Sequence, residues 1–390
     1  MMKYDEEFFD AGLYRLGTRC SKWDLCRERH QSDVLPMWVA DMDFRSPEAV
    51  REALLRRAAH PTYGYTEPLD DDYAALCDFW QRRHGVTFTR EDVILLPCVV
   101  TGMKVCINAL TQPGDGVMIL TPLYGPFRMS IEATGRRLID VELIHHADGR
   151  YEPDLAAMER RMDEGCRLLM LCSPHNPVGR CWTEAELRAM LELAQRHGIP
   201  VVCDEIHADF VYAPRRFVPM LSLAREGVVT MCAASKTFNL AGLQQASMIC
   251  RDPALREKLQ AQMLSSGVTA GNIFALEGTR AAYQEGDAWL DGLLSYLAGN
   301  VRELERCVKT YLPQAVLSPM EATYLGWLDL RAYGHTTAEL ERRAEAHGVV
   351  FTEGTFFGRE TGEGFLRVNI GCPRAHIEEA IRRLAAAVEA

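Results

Sequence analysis

Short runs of consecutive apolar residues recur through the middle of the chain, separated by stretches in which apolar positions return every three or four residues. Val93–Leu96, Val117–Thr121, Leu168–Cys172, Pro200–Cys203 and Val228–Cys232 read as strands buried on both faces, because a strand with one face in water would alternate apolar and polar positions. Between them, Thr183-Glu184-Ala185-Glu186 has the form of a capping box, and Leu187, Met190, Leu191 and Ala194 continue it as a helical stripe. Ser46-Pro47-Glu48 predicts the start of an earlier helix, with Ser46 as cap and Pro47 in the first turn. Strands alternating with helices predict an α/β fold: a mostly parallel sheet covered by helices on both faces, three layers in all. In such sheets ligands bind beyond the carboxyl ends of the strands, so residues just after a strand carry more functional weight than residues within one.

The last hundred residues follow a different rhythm. A helical stretch runs from about Asp287 to Tyr311, then a strand-like Tyr324–Leu330, a helix opening at Thr336-Thr337-Ala338-Glu339, a strand-like Gly364–Ile370, and a helix begun by Pro373. This is an α+β pattern. The expected organisation is an N-terminal segment (1–46) that joins a small C-terminal domain (287–390), with a large domain (47–286) between them. No internal repeat, low-complexity tract or long linker interrupts it.

Composition adds limits. The chain has 390 residues, 48% apolar and 25% charged, with 43 basic and 54 acidic side chains giving a net charge of −11. That is enough material for two or three ordinary globular domains. An acidic surface argues against nucleic acid or anionic membranes as partners. The acidic start, Lys3-Tyr4-Asp5-Glu6-Glu7, has no signal-peptide character, and no apolar run reaches membrane-spanning length. Thirteen cysteines without a C-x-x-C pair, several inside the apolar runs, read as reduced core residues of a cytoplasmic protein. No Cys/His spacing suits a metal, and His145-His146 reads as a solvated loop.

The chain has neither a G-x-G-x-x-G after a strand nor a Gly-Lys dipeptide, which removes the main support for a nicotinamide or nucleoside-triphosphate enzyme. Four other segments carry chemistry. In Val201-Val202-Cys203-Asp204-Glu205-Ile206-His207 an apolar strand delivers a carboxylate at its end and a histidine three residues on. Such an aspartate is either an ordinary acidic loop residue or a group able to keep a heteroaromatic ring nitrogen protonated. In Ala233-Ala234-Ser235-Lys236-Thr237-Phe238-Asn239 a lysine follows a strand among small and apolar neighbours. It is either a loop lysine or a desolvated amine able to form an imine with an aldehyde. Leu171-Cys172-Ser173-Pro174-His175-Asn176-Pro177-Val178-Gly179 is a rigid turn that presents the Asn176 amide, or a plain turn. Phe365-Leu366-Arg367-Val368-Asn369-Ile370 buries an arginine in an apolar strand, for an internal ion pair or for an anionic ligand.

Together and in this order, these segments resemble the fold-type I pyridoxal-phosphate (PLP) enzymes, the aspartate-aminotransferase superfamily, over essentially the whole chain. The closest likeness is to the cystathionine β-lyase, or C–S lyase, branch. It is carried by Trp38-Val39-Ala40-Asp41-Met42-Asp43-Phe44, Tyr63-Gly64-Tyr65, Asp204-Glu205-Ile206-His207, Ser235-Lys236-Thr237-Phe238-Asn239 and the stretch from Phe365 to Arg374. His207 marks the branch, since typical aminotransferases place tyrosine there.

The resemblance implies that Lys236 holds PLP covalently and, once released, takes the substrate Cα proton. It implies Asp204 at the ring nitrogen, Asn176 and His207 at the ring oxygen, and Tyr124 stacked on the ring. The phosphate would lie on the N–H groups of Val99 and Val100 with the Ser235 hydroxyl, and Tyr65 would reach the phosphate of a neighbouring subunit in a homodimer with shared active sites. Arg367 with Asn176 would bind the substrate carboxylate, while Trp38 and Tyr63 would line the leaving-group pocket. Aminotransferases usually carry an arginine eight residues after the lysine; here that position is Gln244, as in the lyase branch. The expected reaction is α,β-elimination from cystathionine or another cysteine S-conjugate, giving thiol, pyruvate and ammonia. The alternatives are an aminotransferase on the same scaffold and, in another class, a regulatory protein that keeps the fold.

Overall fold

The computed structural model describes residues 3–30, 34–268 and 271–389. Seven strands form the central sheet: β1 (Val93–Leu96), β2 (Gly116–Thr121), β3 (Arg137–Glu142), β4 (Cys166–Cys172), β5 (Val201–Asp204), β6 (Val228–Cys232) and β7 (Ala246–Ile249), in the spatial order β1-β7-β6-β5-β4-β2-β3. Only β7 runs against its neighbours; the other strands pair in parallel or share their direction across it. Because β7 is reversed, its first residues lie at the rim where the other six strands end. Side chains alternate between two apolar layers. In β4, Leu168, Met170 and Cys172 face one layer, with the helix Val99–Leu110, and Leu169 and Leu171 face the other. Burial on both faces is the physical reason these strands read as continuous apolar runs.

The observed strands extend the expected ones by a residue or two, to Gly116, Cys166 and Asp204. Two were not expected. β3 is an edge strand whose burial alternates, so its Arg-Leu-Ile-Asp-Val-Glu sequence lacks an apolar run. β7 is four residues long and includes Ser247. The helix expected at Ser46-Pro47 spans Glu48–Ala59, with Pro47 at the cap position and no side-chain cap bond. Ser46 Oγ lies instead against the Asn239 carbonyl, at 3.5 Å. The capping box at Thr183 forms as the sequence predicts: Glu186 N donates to Thr183 Oγ1 (3.3 Å), and Thr183 N donates to the Glu186 carboxylate (2.7 Å).

A second, antiparallel sheet contains β8 (Val316–Leu317), β9 (Leu325–Asp329), β10 (Thr352–Glu353) and β11 (Phe365–Asn369), in the order β8-β9-β11-β10. The helices Asp287–Tyr311 and Arg374–Glu389 pack together near it, where buried Asn300 donates to the carbonyls of Ile370 and Cys372, each at 2.9 Å. The latter helix starts one residue beyond Pro373. The N-terminal segment is laced to these C-terminal elements. Leu35–Pro36 pairs in parallel with Val349–Val350, Asn369 N donates to Met37 O (2.9 Å), and Asp43 N donates to Gly371 O (2.8 Å).

His145 departs from the expected solvated loop. It sits in a two-residue strand paired with Tyr151–Glu152 and stacks on the Tyr151 ring at 4.5 Å, because the hairpin folds it against the second sheet's Phe365. All thirteen cysteines are unpaired, ten of them buried. Among the described residues no helix is long and apolar enough to cross a membrane.

Candidate active site

The carboxyl ends of β1, β2, β4, β5 and β6 and the start of β7 surround one cavity of about 250 Å³. Each element places its residue by the same device: the strand ends, and the next few residues turn inward. Asp204 is the last residue of β5, on the face of Val202. Lys236 lies in the single helical turn Ala234–Thr237 that follows β6. Asn176 comes from the turn after β4, which Gly179 completes at φ 70°, a conformation suited to glycine. Tyr124 follows β2, and its N–H donates to the Asn176 carbonyl (3.1 Å). The helix Val99–Leu110 follows β1, so its first N–H groups, including those of Val99 and Val100, have no carbonyl above them and face the cavity's rim. Ser235, His207 and Gln244 also line the cavity, together with Ala40 from the N-terminal segment.

Burial controls the charges here. The Lys236 amine has no carboxylate partner among the described residues. It donates to the Ala40 carbonyl at 2.6 Å. Burial, reinforced by the nearby Arg367 cation, lowers its pKa to about 8. Among the described residues the Asp204 carboxylate accepts only from Ile206 N (3.1 Å), and burial raises its pKa to about 7 against that bond and the Lys236 charge. A carboxylate in that setting favours a cation placed beside it. Burial, with the Lys236 and Arg367 charges, pushes His207 down to about 3, so the imidazole is neutral; its Nδ1 is buried with no partner among the described residues.

Arg367 lies in β11 and is wholly buried without an acidic partner among the described residues. Its Nη1 donates to Asn176 Oδ1 (3.2 Å), its Nη2 to the Trp38 carbonyl (2.8 Å) and to Thr352 Oγ1 (3.2 Å), and its plane lies 4.8 Å from the Phe357 ring. Among the described residues Nε has no partner and no ion pair forms, so the site holds a desolvated guanidinium with capacity for an anion. Burial lowers its pKa to about 10.

Trp38 and Tyr63, expected at the leaving-group pocket, lie elsewhere. The Trp38 ring is not at the cavity: its Nε1 donates to the Lys22 carbonyl (3.1 Å) and Arg29 covers its face, because only its backbone turns inward, toward Arg367. Tyr63 is exposed, with its hydroxyl donating to Ala58 O (2.8 Å) and its ring against Phe274. Tyr65 is fully exposed in the same irregular loop. Gln244 reaches the rim at φ 62° but folds its amide onto the Ala241 carbonyl (3.0 Å).

The structure also brings in residues to which the sequence gave no role. Asn239 accepts from Met42 N (3.0 Å) and donates to the carbonyls of Met42 (2.8 Å) and Phe44 (3.2 Å), tying the N-terminal segment to the lysine turn. Asp43 is buried and bonded by Lys22 (2.8 Å), Arg15 (2.9 Å) and Trp23 Nε1 (2.8 Å). Tyr324 donates to the same Ala40 carbonyl as Lys236 (3.0 Å). The motif positions of Asp43 and Asn239, and the place of Tyr324 at the start of a strand-like run, were the available signals.

An amine, a carboxylate without a cation, an imidazole nitrogen without a partner and an open helix N-terminus around one cavity fit PLP: aldehyde, ring nitrogen, ring oxygen and phosphate each meet a suitable group. The class follows. Residues 32–384 match the aminotransferase class I and II family, and the chain belongs to it. Among its relatives, cystathionine β-lyase PatB of Bacillus subtilis is 41% identical over 386 residues, 97% of this chain and 99% of that protein. The structure of cystalysin from Treponema denticola, which contains pyridoxal 5′-phosphate, superposes with a TM-score of 0.94 at 29% identity, covering 100% of this chain and 99% of that one. The PLP-bound C–S lyase of Staphylococcus hominis superposes at 0.90 with 28% identity, covering 97% of each chain.

Proposed function

We propose that this chain is a PLP-dependent C–S β-lyase that eliminates a thiol from the β-carbon of cystathionine or a related cysteine S-conjugate, leaving pyruvate and ammonia. The observation that carries the chemistry is the pairing of Lys236 and Asp204 on one cavity, with the unpaired Arg367 beside it. The choice of elimination is supported by the names of the relatives and by histidine at position 207.

Bound PLP supplies an aldehyde for covalent attachment and a ring that accepts the electron pair left by a departing Cα proton. The chain supplies the rest. Lys236 would hold the cofactor and, as a free amine, would take the substrate Cα proton; a lowered pKa keeps part of it neutral near pH 7. Asp204 would sit at the ring nitrogen and favour its cationic form. Neutral His207 and Asn176 would hydrogen-bond the ring oxygen, and Tyr124 would stack on the ring. The N–H groups of Val99 and Val100, at the positive end of their helix, would hold the phosphate together with the Ser235 hydroxyl. Arg367 takes the substrate α-carboxylate, and its Asn176 contact orients the guanidinium. A homodimer in which exposed Tyr65 reaches the partner's phosphate site belongs to the same proposal. So does a cytoplasmic location, supported by the thirteen unpaired cysteines.

The test is incubation of purified protein with cystathionine and PLP, measuring thiol and pyruvate. Both are expected in equal amounts, and both are expected to vanish in Lys236→Ala. Conversion of the cofactor to its amine form by amino acid alone, with keto acid appearing and no thiol, would establish an aminotransferase instead.

A further inference from the structure

Two buried donors meet on one carbonyl. Lys236 Nζ lies 2.6 Å and Tyr324 Oη 3.0 Å from Ala40 O. Tyr324 immediately precedes β9, is wholly buried, and stands edge-on to Phe210 (4.9 Å between centroids) and His207 (6.1 Å). Burial holds its hydroxyl protonated well beyond neutral pH, so it stays a donor. The acceptor cannot swing away. Asn369 Nδ2 donates to the carbonyls of Val39 and Asp41 on either side of Ala40, and Asn239 holds Met42. The other charged or titratable groups facing the amine are Asp204 from β5, Arg367 from β11, Asp41 from the N-terminal segment, and His207 and Tyr124 on the cavity wall.

We propose that Tyr324 is a positioning residue that sets the proton affinity of released Lys236 by sharing the Ala40 carbonyl with it. A carbonyl oxygen already accepting one hydrogen bond is a poorer acceptor for a second, and an ammonium needs that acceptor more than an amine does. The hydroxyl therefore disfavours the ammonium. It leaves a neutral amine that gives one N–H to Ala40 O and keeps its lone pair free for the substrate Cα proton. The purpose assigned to this base rests on the lyase reading; the effect on the amine does not.

The experiment labels the full chain, freed of cofactor, with acetic anhydride across a pH range. Peptide mass spectrometry follows acetylation at Lys236, and the midpoint of the rate reports the amine's titration. Tyr324→Phe is expected to raise that midpoint by about one pH unit. Placing 3-fluorotyrosine at 324, a stronger donor, is expected to lower it, a reversal that loosened packing would not produce. Tyr212→Phe removes another buried hydroxyl, which donates to Thr323 O (2.7 Å) and does not touch Ala40, and should titrate as the unaltered chain does. In the holoenzyme the acidic limb of kcat for thiol release should move with the Tyr324→Phe midpoint while KM stays constant. An unshifted midpoint in both position-324 variants overturns the proposal, as does an equal shift in Tyr212→Phe. Labelling needs no turnover, so a chain that releases no thiol would defeat the proposed activity and leave the labelling result to be judged by itself.

Discussion

At the scale of single residues, burial decides charge, and it does so away from the cavity as well as within it. Glu205 follows Asp204 in the chain yet does not line the cavity; its Oε1 accepts from Met220 N (2.7 Å) and its Oε2 has no partner. Burial, aided by the Asp204 charge, raises its pKa from 4.5 to about 8. The folded chain therefore binds a proton there that the unfolded chain releases between those values. The resulting stability is complete below pH 4.5 and is lost as pH rises through 8, at roughly 1.4 kcal/mol per pH unit within the window. Glu205→Gln stays neutral and keeps the Met220 bond. Its melting temperature relative to the unaltered chain should thus rise from pH 5 to about pH 8 and then level off; a constant difference would mean that Glu205 is already ionised in the fold. The sequence showed this carboxyl beside Asp204. It could not show which faces the cavity, because only strand alternation separates them.

At the scale of elements, the parallel strands were legible because burial on both faces leaves an unbroken apolar run, and residues placed just after them, at 99, 124, 176, 204 and 236, do meet at the cavity. The Trp38–Phe44 segment was legible as a motif but not as a device. Its contribution is made by backbone carbonyls, Trp38 O to Arg367 and Ala40 O to Lys236, and a carbonyl carries no mark of its residue type. Reading the motif as side chains put Trp38 in the leaving-group pocket, whereas its ring packs outward. Asn369 clamps the carbonyls of Val39 and Asp41, and Asn239, at φ 60°, holds the far end of the segment with three hydrogen bonds to Met42 and Phe44. Asn239→Gly keeps that left-handed backbone without strain and removes only the side-chain bonds. The variant should lose about 1–3 kcal/mol of stability, measured by denaturant unfolding. Its kcat should fall more than its KM rises, because Ala40, then held through the Asn369 bonds alone, positions the released lysine less rigidly. Unchanged kcat with lowered stability would make Asn239 a purely structural tether.

At the scale of the whole molecule, one region does not fit a self-contained chain. The irregular loop between the helices Glu48–Ala59 and Asp70–His84 leaves Tyr63, Tyr65 and Leu69 exposed, and Tyr65 makes no hydrogen bond among the described residues. A lone chain gives such a loop nothing to do. In the proposed homodimer it is the piece that completes the partner's phosphate site, which the short Gln244 side chain, turned onto Ala241, leaves without a cation. Each active site then takes its lysine from one subunit and its Tyr65 from the other. Lys236→Ala dimers should be inactive, and Tyr65→Ala dimers should lose cofactor and activity when PLP is scarce. If the two variants are mixed, dissociated and reassembled, each hybrid dimer carries one site with both residues intact and one lacking both. Random pairing makes half the dimers hybrids, so activity at limiting PLP should return to about a quarter of the unaltered level. Mixtures that stay as inactive as their parents would place Tyr65 outside the neighbouring site and leave each subunit to hold its cofactor alone.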